Sequence, residues 1–154
     1  MELRPASNKD RAAIEALVFG TLREFNLAPD PGDTDADLRD IEAAYQGRGG
    51  CFDVLVTDEG QIVGTIGLYR ISKTECELRK MYLDKSVRGQ GQGRRLLDHA
   101  LAKAKELGFT RVILETAHVL KTAVVLYERY GFKEYTADHK SCRCDRTYYL
   151  DLKS

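Results

Sequence analysis

The sequence predicts an α+β fold, and three observations carry that expectation. Apolar residues recur at helical spacing in four segments and alternate with period two in several others. Paired extended runs are joined by short turn signals, as in antiparallel hairpins. A single strand–helix–strand crossover sits among them, which argues against a doubly wound parallel sheet. The order along the 154 residues is strand, two helices, three strands, helix, strand, helix, two strands.

Each element has its own signal. Met1 to Pro5 reads as a short strand. Ser7 with Asp10 three residues later resembles a capping box, and Ile14, Leu17, Val18, Leu22 and Phe25 then follow at helical spacing. The run from Ala28 to Gly32 carries two prolines and breaks the chain. A second helix is expected from about Asp35 to Gln46, its acidic start suiting a helix N-terminus, with Gly47, Gly49 and Gly50 ending it. Phe52–Thr57 and Gln61–Arg70 flank Asp58-Glu59-Gly60, a hairpin signature. Glu75–Leu83 is a further extended run, on which alternation puts Glu75, Glu77, Arg79, Met81 and Leu83 on one face. A long helix follows the loop Val87–Gly93, with Leu96, Leu97, Ala100, Leu101, Ala104 and Leu107 as its buried stripe and Gly108 as its stop. Arg111–Thr116 reads as a strand and Val119 to about Tyr130 as a helix closed by Gly131. Strands near Phe132–Thr136 and Arg146–Leu150 complete the chain.

The length suits one domain, residues 1–154, able to bury roughly 70% of its unfolded surface without staples. Basic and acidic side chains number 24 each, so nothing suggests a nucleic-acid partner or a polybasic membrane surface. Four scattered cysteines fit free thiols in a reducing compartment better than a disulfide framework. Residues 1–25 are interrupted by Arg4, Lys9, Asp10, Arg11 and Glu15, which excludes a signal peptide or membrane span there. A soluble, cytoplasmic protein is expected.

The loop Arg88-Gly-Gln-Gly-Gln-Gly93 lies between a strand and a helix. Glycines let backbone turn tightly and approach a ligand, and free amides at a helix N-terminus face an anion. Arg88 adds positive charge at the rim. A dinucleotide fingerprint would place its third glycine three residues after the second, and a nucleotide P-loop would end in Gly-Lys-Ser/Thr. Here Gly89, Gly91 and Gly93 alternate, and Arg94-Arg95 follow. An ordinary glycine turn capping a helix is the remaining reading of the loop alone.

Its setting adds more. Met81-Tyr-Leu83, four residues, then Arg88-Gly-x-Gly-x-Gly and Leu96-Leu97 closely resemble the GNAT acetyltransferase motif. Ala123-Val-Val-Leu-Tyr127-Glu-Arg-Tyr-Gly131-Phe132 resembles the same family's Ala-x-x-x-Tyr-x-x-x-Gly-Phe segment. Many relatives carry Asn seven residues before that Tyr, where this chain has Leu120, so its polar contact would fall to Thr116 or Lys121.

The resemblance implies a three-layer (α/β-type) GNAT fold, with a mixed, mostly antiparallel sheet of six to seven strands and about four helices. It implies acetyl-CoA as acyl donor, held by backbone at Met81, Tyr82 and Leu83 along its pantetheine arm. The pyrophosphate would rest on amides from Gly89 through Gln90, Gly91, Gln92 and Gly93 to Arg94, beside Arg88, with Thr116 nearby. The implied reaction is direct attack of a primary amine of a small molecule, amino acid or peptide through a tetrahedral intermediate. The alternative is a non-catalytic acyl-CoA-binding sensor or scaffold module.

Tyr127 aligns with the family's general acid, and a phenol can protonate the departing thiolate; the competing reading is a core aromatic, as for Tyr130. Glu77 is either a general base or a strand-face carboxylate paired with Arg79. The acidic run Asp30, Asp33, Asp35, Asp37, Asp40 and Glu42 either favours a cationic acceptor or is solvated helix-start charge. Cys142-x-Cys144 with His139 supplies too few ligands for zinc, so structural thiols and no metal are expected. His99 and His118 receive no role. Arg143 and Asp145 could contact the acceptor from the C-terminal hairpin, a reading the sequence alone supports little, and the final strands offer an edge for a homodimer.

Overall fold

The computed structural model describes residues 1–136 and 143–152. Among these, seven strands form one sheet in the order β1-β2-β3-β4-β5-β7-β6. They are β1 (Glu2–Pro5), β2 (Cys51–Val56), β3 (Ile62–Arg70), β4 (Glu75–Leu83), β5 (Arg111–Thr116), β6 (Lys133–Tyr135) and β7 (Arg146–Asp151). Only β4 and β5 pair in parallel, and every other neighbouring pair is antiparallel. The helices are α1 (Arg11–Glu24), α2 (Ile41–Ala44), α3 (Gln92–Glu106) and α4 (Lys121–Arg129).

Strand alternation divides the core into two layers. Ile66 and Leu68 of β3, Leu78 of β4 and Leu114 of β5 pack against Leu96, Leu97, Ala100 and Ala104 of α3 and Val124 and Tyr127 of α4. Phe52 and Val54 of β2 meet Ile14, Val18 and Leu22 of α1 with Leu38, Ile41 and Tyr45 on the other face. Truncating any of these leucines to Ala would remove about 2–5 kcal/mol. At Gly67 a Cβ would fall 2.8 Å from the Tyr45 ring and 2.9 Å from Phe52, so only glycine lets those rings lie on β3.

The expected capping box is present: the Ser7 side chain accepts from Lys9 N–H, and Asp10 accepts from Ser7 N–H at 2.9 Å. The second helix differs from the expected span Asp35–Gln46. Residues Ala36–Asp40 form a 3-10 helix, and one α turn, Ile41–Ala44, follows. Asp40 leaves helical geometry (φ −145°, ψ 80°) and its side chain accepts from Ala43 N–H, so it caps a new turn instead of continuing the old one.

The simple alternation expected along β4 is also corrected. Lys80 has φ +56°, and the β3–β4 register slips between Thr65 and Gly67. Arg79 faces Gly67 and Tyr82 faces Thr65, so two residues of β4 oppose Ile66 in a bulge. Glu77 and Arg79 therefore share their face with Tyr82, not with Met81 and Leu83. The Thr65 hydroxyl donates to the Lys80 carbonyl at 2.6 Å and holds the bulge in place.

Candidate active site

The parallel pairing of β4 with β5 runs from Glu75↔Arg111 to Leu78↔Leu114 and stops. Beyond it β4 continues through Met81 to Leu83 with no strand partner on that side among the described residues, while β5 stays paired with β7. A cleft of about 640 Å³ occupies the divergence. Its walls come from Leu27, Asp33 and Thr34 after α1, Glu77 to Tyr82 on β4, and Glu115 to Ala117 at the end of β5. Leu120, Ala123 and Tyr127 of α4, with Arg143 and Cys144 before β7, complete it.

Tyr127 is 5% exposed, and its hydroxyl donates to Met81 Sδ at 3.6 Å across the gap. Its ring also packs against Phe132, with centroids 5.7 Å apart. Burial, with Tyr82 and Cys144 nearby, pushes its phenol well above the usual range, so the hydroxyl stays protonated. Burial likewise pushes the Tyr82 phenol up to about 12, against the opposing effect of the Arg143 guanidinium, which hydrogen-bonds it. Both phenols are thus donors at neutral pH.

Glu77 lines the cleft and is ion-paired with Arg79, whose guanidinium lies 3.8 Å from the Tyr69 ring centroid. Thr116 is buried on the opposite wall. Glu77, Met81, Tyr82, Thr116 and Tyr127 therefore converge on one space.

The glycine loop lies beyond the end of β4. Gly89 (φ +73°) and Gly91 (φ +81°) are left-handed, with open space where a Cβ would stand. Gly91 caps α3 without a side-chain hydrogen bond, leaving the first-turn amides of Gln92, Gly93 and Arg94 directed outward. The buried Gln92 Oε1 has no hydrogen-bond partner among the described residues. Gly93 sits 3.8 Å from Leu83 and 3.9 Å from Met81 at the position a Cβ would take, joining loop to strand edge. These features fit a diphosphate on the loop with its tail running along β4. Arg88 is placed differently from Gln90 and the glycines. Its guanidinium makes two bonds to Glu24 of α1, at 2.5 and 3.0 Å, and its Nε donates to the Leu83 carbonyl at 3.0 Å. Its charge is matched there, and it ties the loop to α1.

Lys80, and the network that joins it to Asp35, Asp37 and Arg143, escaped sequence reasoning. Lys80 Nζ, with its side chain 5% exposed, lies 3.2 Å from Asp35 Oδ1 and 3.3 Å from Asp37 Oδ1. Arg143 grips Asp35 with two bonds of 2.8 and 2.7 Å. Burial pushes the Asp35 carboxyl up, but Arg143, the Asp30 amide and Lys80 more than offset this, and it ends below its ordinary range. A lysine at a position where alternation with Cys76 and Leu78 calls for burial was the available signal. The acidic run is thus largely committed: Asp30 accepts from Thr34, Asp40 from Asn8 and Ala43, and Glu42 from the Asn8 amide. Cys144 reaches the cleft; Cys142 and His139 lie outside the described residues. His118 pairs with Asp145 and His99 with Asp53, both away from the cleft.

Residues 18–132 match the sequence profile of the Acetyltransferase (GNAT) family. The chain belongs to that family. Its fold is the GNAT fold, and it is an acyltransferase. It is 36% identical over 136 residues to the uncharacterized N-acetyltransferase YjgM of Escherichia coli (strain K12), covering 85% of this chain and 81% of that protein. It is 31% identical over 104 residues to N-acetyltransferase 8B of Homo sapiens, a match covering 64% of this chain but only 45% of that longer protein. The structure of a GNAT-family acetyltransferase from Staphylococcus aureus Mu50 superposes with a TM-score of 0.92 at 29% identity, over 99% of each chain. That of yncA from Salmonella typhimurium, which carries acetyl-CoA, shares the fold with a TM-score of 0.75 at 21% identity, over 100% of this chain and 95% of that one. Among the described residues no helix is long and apolar enough to cross a membrane, and no group of three or more His, Cys, Asp or Glu could hold a metal ion.

Proposed function

We propose that residues 1–154 form one catalytic domain that moves an acetyl group from acetyl-CoA to a primary amine of a small molecule, amino acid or peptide. The observation that carries this reading is the Tyr127 hydroxyl aimed into the gap where β4 leaves β5. Acetyl-CoA supplies the activated acyl group. The outward amides of Gln92, Gly93 and Arg94 would bind its diphosphate, and the unpaired edge from Met81 to Leu83 its pantetheine arm. Thr116, buried on the β5 wall, or Lys121 would supply the polar contact that the family's Asn makes at the position Leu120 holds here.

An alkylammonium with a pKa near ~10 is almost wholly protonated at neutral pH, so attack needs a proton acceptor. Glu77 faces the acceptor half of the cleft, and we assign it that role directly or through water. Its pairing with Arg79 fixes the carboxylate in orientation. A β4 amide near Met81 is suited to stabilise the developing oxyanion. Tyr127 gives its proton to the departing thiolate, a role that suits a phenol held neutral by burial.

Mixing the protein with acetyl-CoA and a panel of amines, and following thiol release, tests the reading. Release that depends on both protein and amine is expected. Tight acetyl-CoA binding without release for any amine would instead favour the sensor or scaffold role.

A further inference from the structure

We infer that Thr65 is a positioning residue for acetyl transfer: by holding the Lys80 carbonyl it turns the Met81 N–H into the cleft, toward the thioester oxygen of bound acetyl-CoA. The inference rests on the acetyl-transfer reading and names the residue that aims its oxyanion donor.

Thr65 is the one polar side chain in the β3 run Ile62–Leu68, and it is fully buried. Valine has nearly the same shape and suits a strand as well, so packing alone does not call for a hydroxyl there. The hydroxyl reaches across to β4 instead, where it donates to the Lys80 carbonyl at 2.6 Å. That carbonyl shares a peptide unit with the Met81 N–H. The unit is trans, so its two polar groups point in opposite directions. With the oxygen drawn toward β3, the N–H is aimed to the other side of β4, where pairing with β5 has ended and the cleft begins.

The same peptide is held from its other flank. Lys80 has a left-handed backbone (φ +56°), which residues other than glycine rarely adopt. Relaxing it to extended geometry would rotate the peptide between Lys80 and Met81 and carry the N–H away. The Lys80 ammonium opposes that rotation. It lies 3.2 Å from Asp35 and 3.3 Å from Asp37, and donates to the Thr34 carbonyl at 3.4 Å. Arg143 anchors Asp35 in turn, and the Tyr45 hydroxyl anchors Asp37. One peptide plane is thus fixed at its oxygen by Thr65 and at its side chain by two carboxylates, which is the preorganisation an oxyanion donor needs. The Tyr127 hydroxyl meets Met81 Sδ across the same gap, so amide and phenol address one end of the cleft.

Thr65→Val removes the hydroxyl at nearly constant shape, and Thr65→Ser restores it. Infrared spectra of acetyl-CoA, isotope-labelled at its acetyl carbonyl and bound to the full chain, report the hydrogen bond directly, because a donor lowers the carbonyl stretch. In the wild-type protein the band should lie at or below its position in water. Thr65→Val should raise it, and Thr65→Ser should return it. In Thr65→Val, kcat from thiol release should fall about tenfold or more, while the acetyl-CoA Kd from calorimetry changes less than about threefold. Thr65→Ser should stay within about threefold of wild-type kcat. A hydroxyl that served stability alone would lower Tm in Thr65→Val and leave band and kcat unmoved. That result, or a loss that serine does not rescue, would overturn the inference. Where Thr65→Val does not fold, Thr65→Ala takes its place, removing the hydroxyl without setting a methyl beside the Lys80 carbonyl. A wild-type band above its position in water, toward that of a thioester in hydrocarbon, would overturn the inference with no variant at all. Absence of thiol release with any amine, beside a band that responds to Thr65, would reject acetyl transfer while upholding the aimed amide.

Discussion

Tyr127 donates a hydrogen bond to Met81 Sδ at 3.6 Å, from helix α4 to the strand edge that β5 has left. A thioether is a weak acceptor, so this contact holds the hydroxyl in place at little expense when a better acceptor arrives. Tyr127→Phe should lower kcat at least tenfold while the acetyl-CoA Kd changes less than about twofold. Because the phenol is raised far above its ordinary value, the variant should leave any alkaline limb of the pH–rate profile where it was. Steady-state kinetics with calorimetry checks both points, and unchanged turnover would remove Tyr127 from the mechanism.

Glu77→Gln keeps the side-chain shape and removes the charge that Arg79 matches. If Glu77 accepts the amine proton, kcat/KM should drop by about a hundredfold while the acetyl-CoA Kd changes less than about twofold. A loss of less than about threefold would leave Glu77 as a strand-face carboxylate paired with Arg79.

Much of the molecule was legible beforehand because it depends on local periodicity. The stripe Leu96, Leu97, Ala100 and Ala104 gave α3, and the alternating apolar residues of β2 and β3 gave the central hairpin. Tyr127 and Glu77, both singled out in the sequence, line one cleft. What stayed hidden depends on contacts distant in sequence. The short 3-10 path through Asp35 follows a carboxylate held by Arg143, 108 residues further on. The bulge at Lys80 places a non-glycine residue at positive φ, which neither propensity nor alternation announces. The commitment of Arg88 to Glu24 likewise spans 64 residues, and the motif alone would direct that charge to a phosphate.

Gly91 sets the direction of the α3 amides. With open space around it, an added Cβ meets no neighbour, so the penalty of Gly91→Ala lies in the left-handed backbone, about 1–2 kcal/mol. If the backbone relaxes instead, the amides of Gln92 to Arg94 turn away from the anion. In the relaxed case, which the penalty favours, the acetyl-CoA Kd should rise about tenfold. Turnover of acetyl-pantetheine, which lacks the diphosphate, should be little affected. Equal losses for both donors would show that the loop shapes the cleft and not a phosphate site.

Stability should decline in alkali earlier than phenol titration alone would require. Burial pushes the thiols of Cys51 and Cys76 up to about 12, with Asp53 adding to the first and Cys51 to the second. Their folded values lie above the ordinary 9.0, so the folded state keeps protons that the unfolded chain releases. The stabilisation is complete below about pH 9 and is lost as pH rises toward about 12, at up to about 1.4 kcal/mol per pH unit for each group. Urea unfolding between about pH 8 and pH 11, under reducing conditions, should show this slope. A Cys51→Ser, Cys76→Ala variant should flatten it, and an unchanged slope would assign the loss to the phenols.

Leu120 occupies the N-cap position of α4 and makes no side-chain cap, while its side chain lines the cleft half-buried. The amides of Lys121, Thr122 and Ala123 at the first turn therefore have no intrahelical partner. Leu120→Asn offers a carbonyl to one of those amides and returns the residue that many relatives carry. A cap of this kind is worth about 0.5–2 kcal/mol, against which stands the lost burial of a partly exposed leucine. The backbone at Leu120 (φ −83°, ψ 63°) is not the extended conformation that capping residues prefer, so the gain should lie at the lower end. The expected result is a small rise in Tm with a tighter acetyl-CoA Kd, since the new amide also faces the cleft. A lower Tm with weaker binding would mean that Leu120 contributes apolar packing against the acyl donor that the amide cannot replace, and that this chain holds the arm through Thr116 and the β4 edge without a cap.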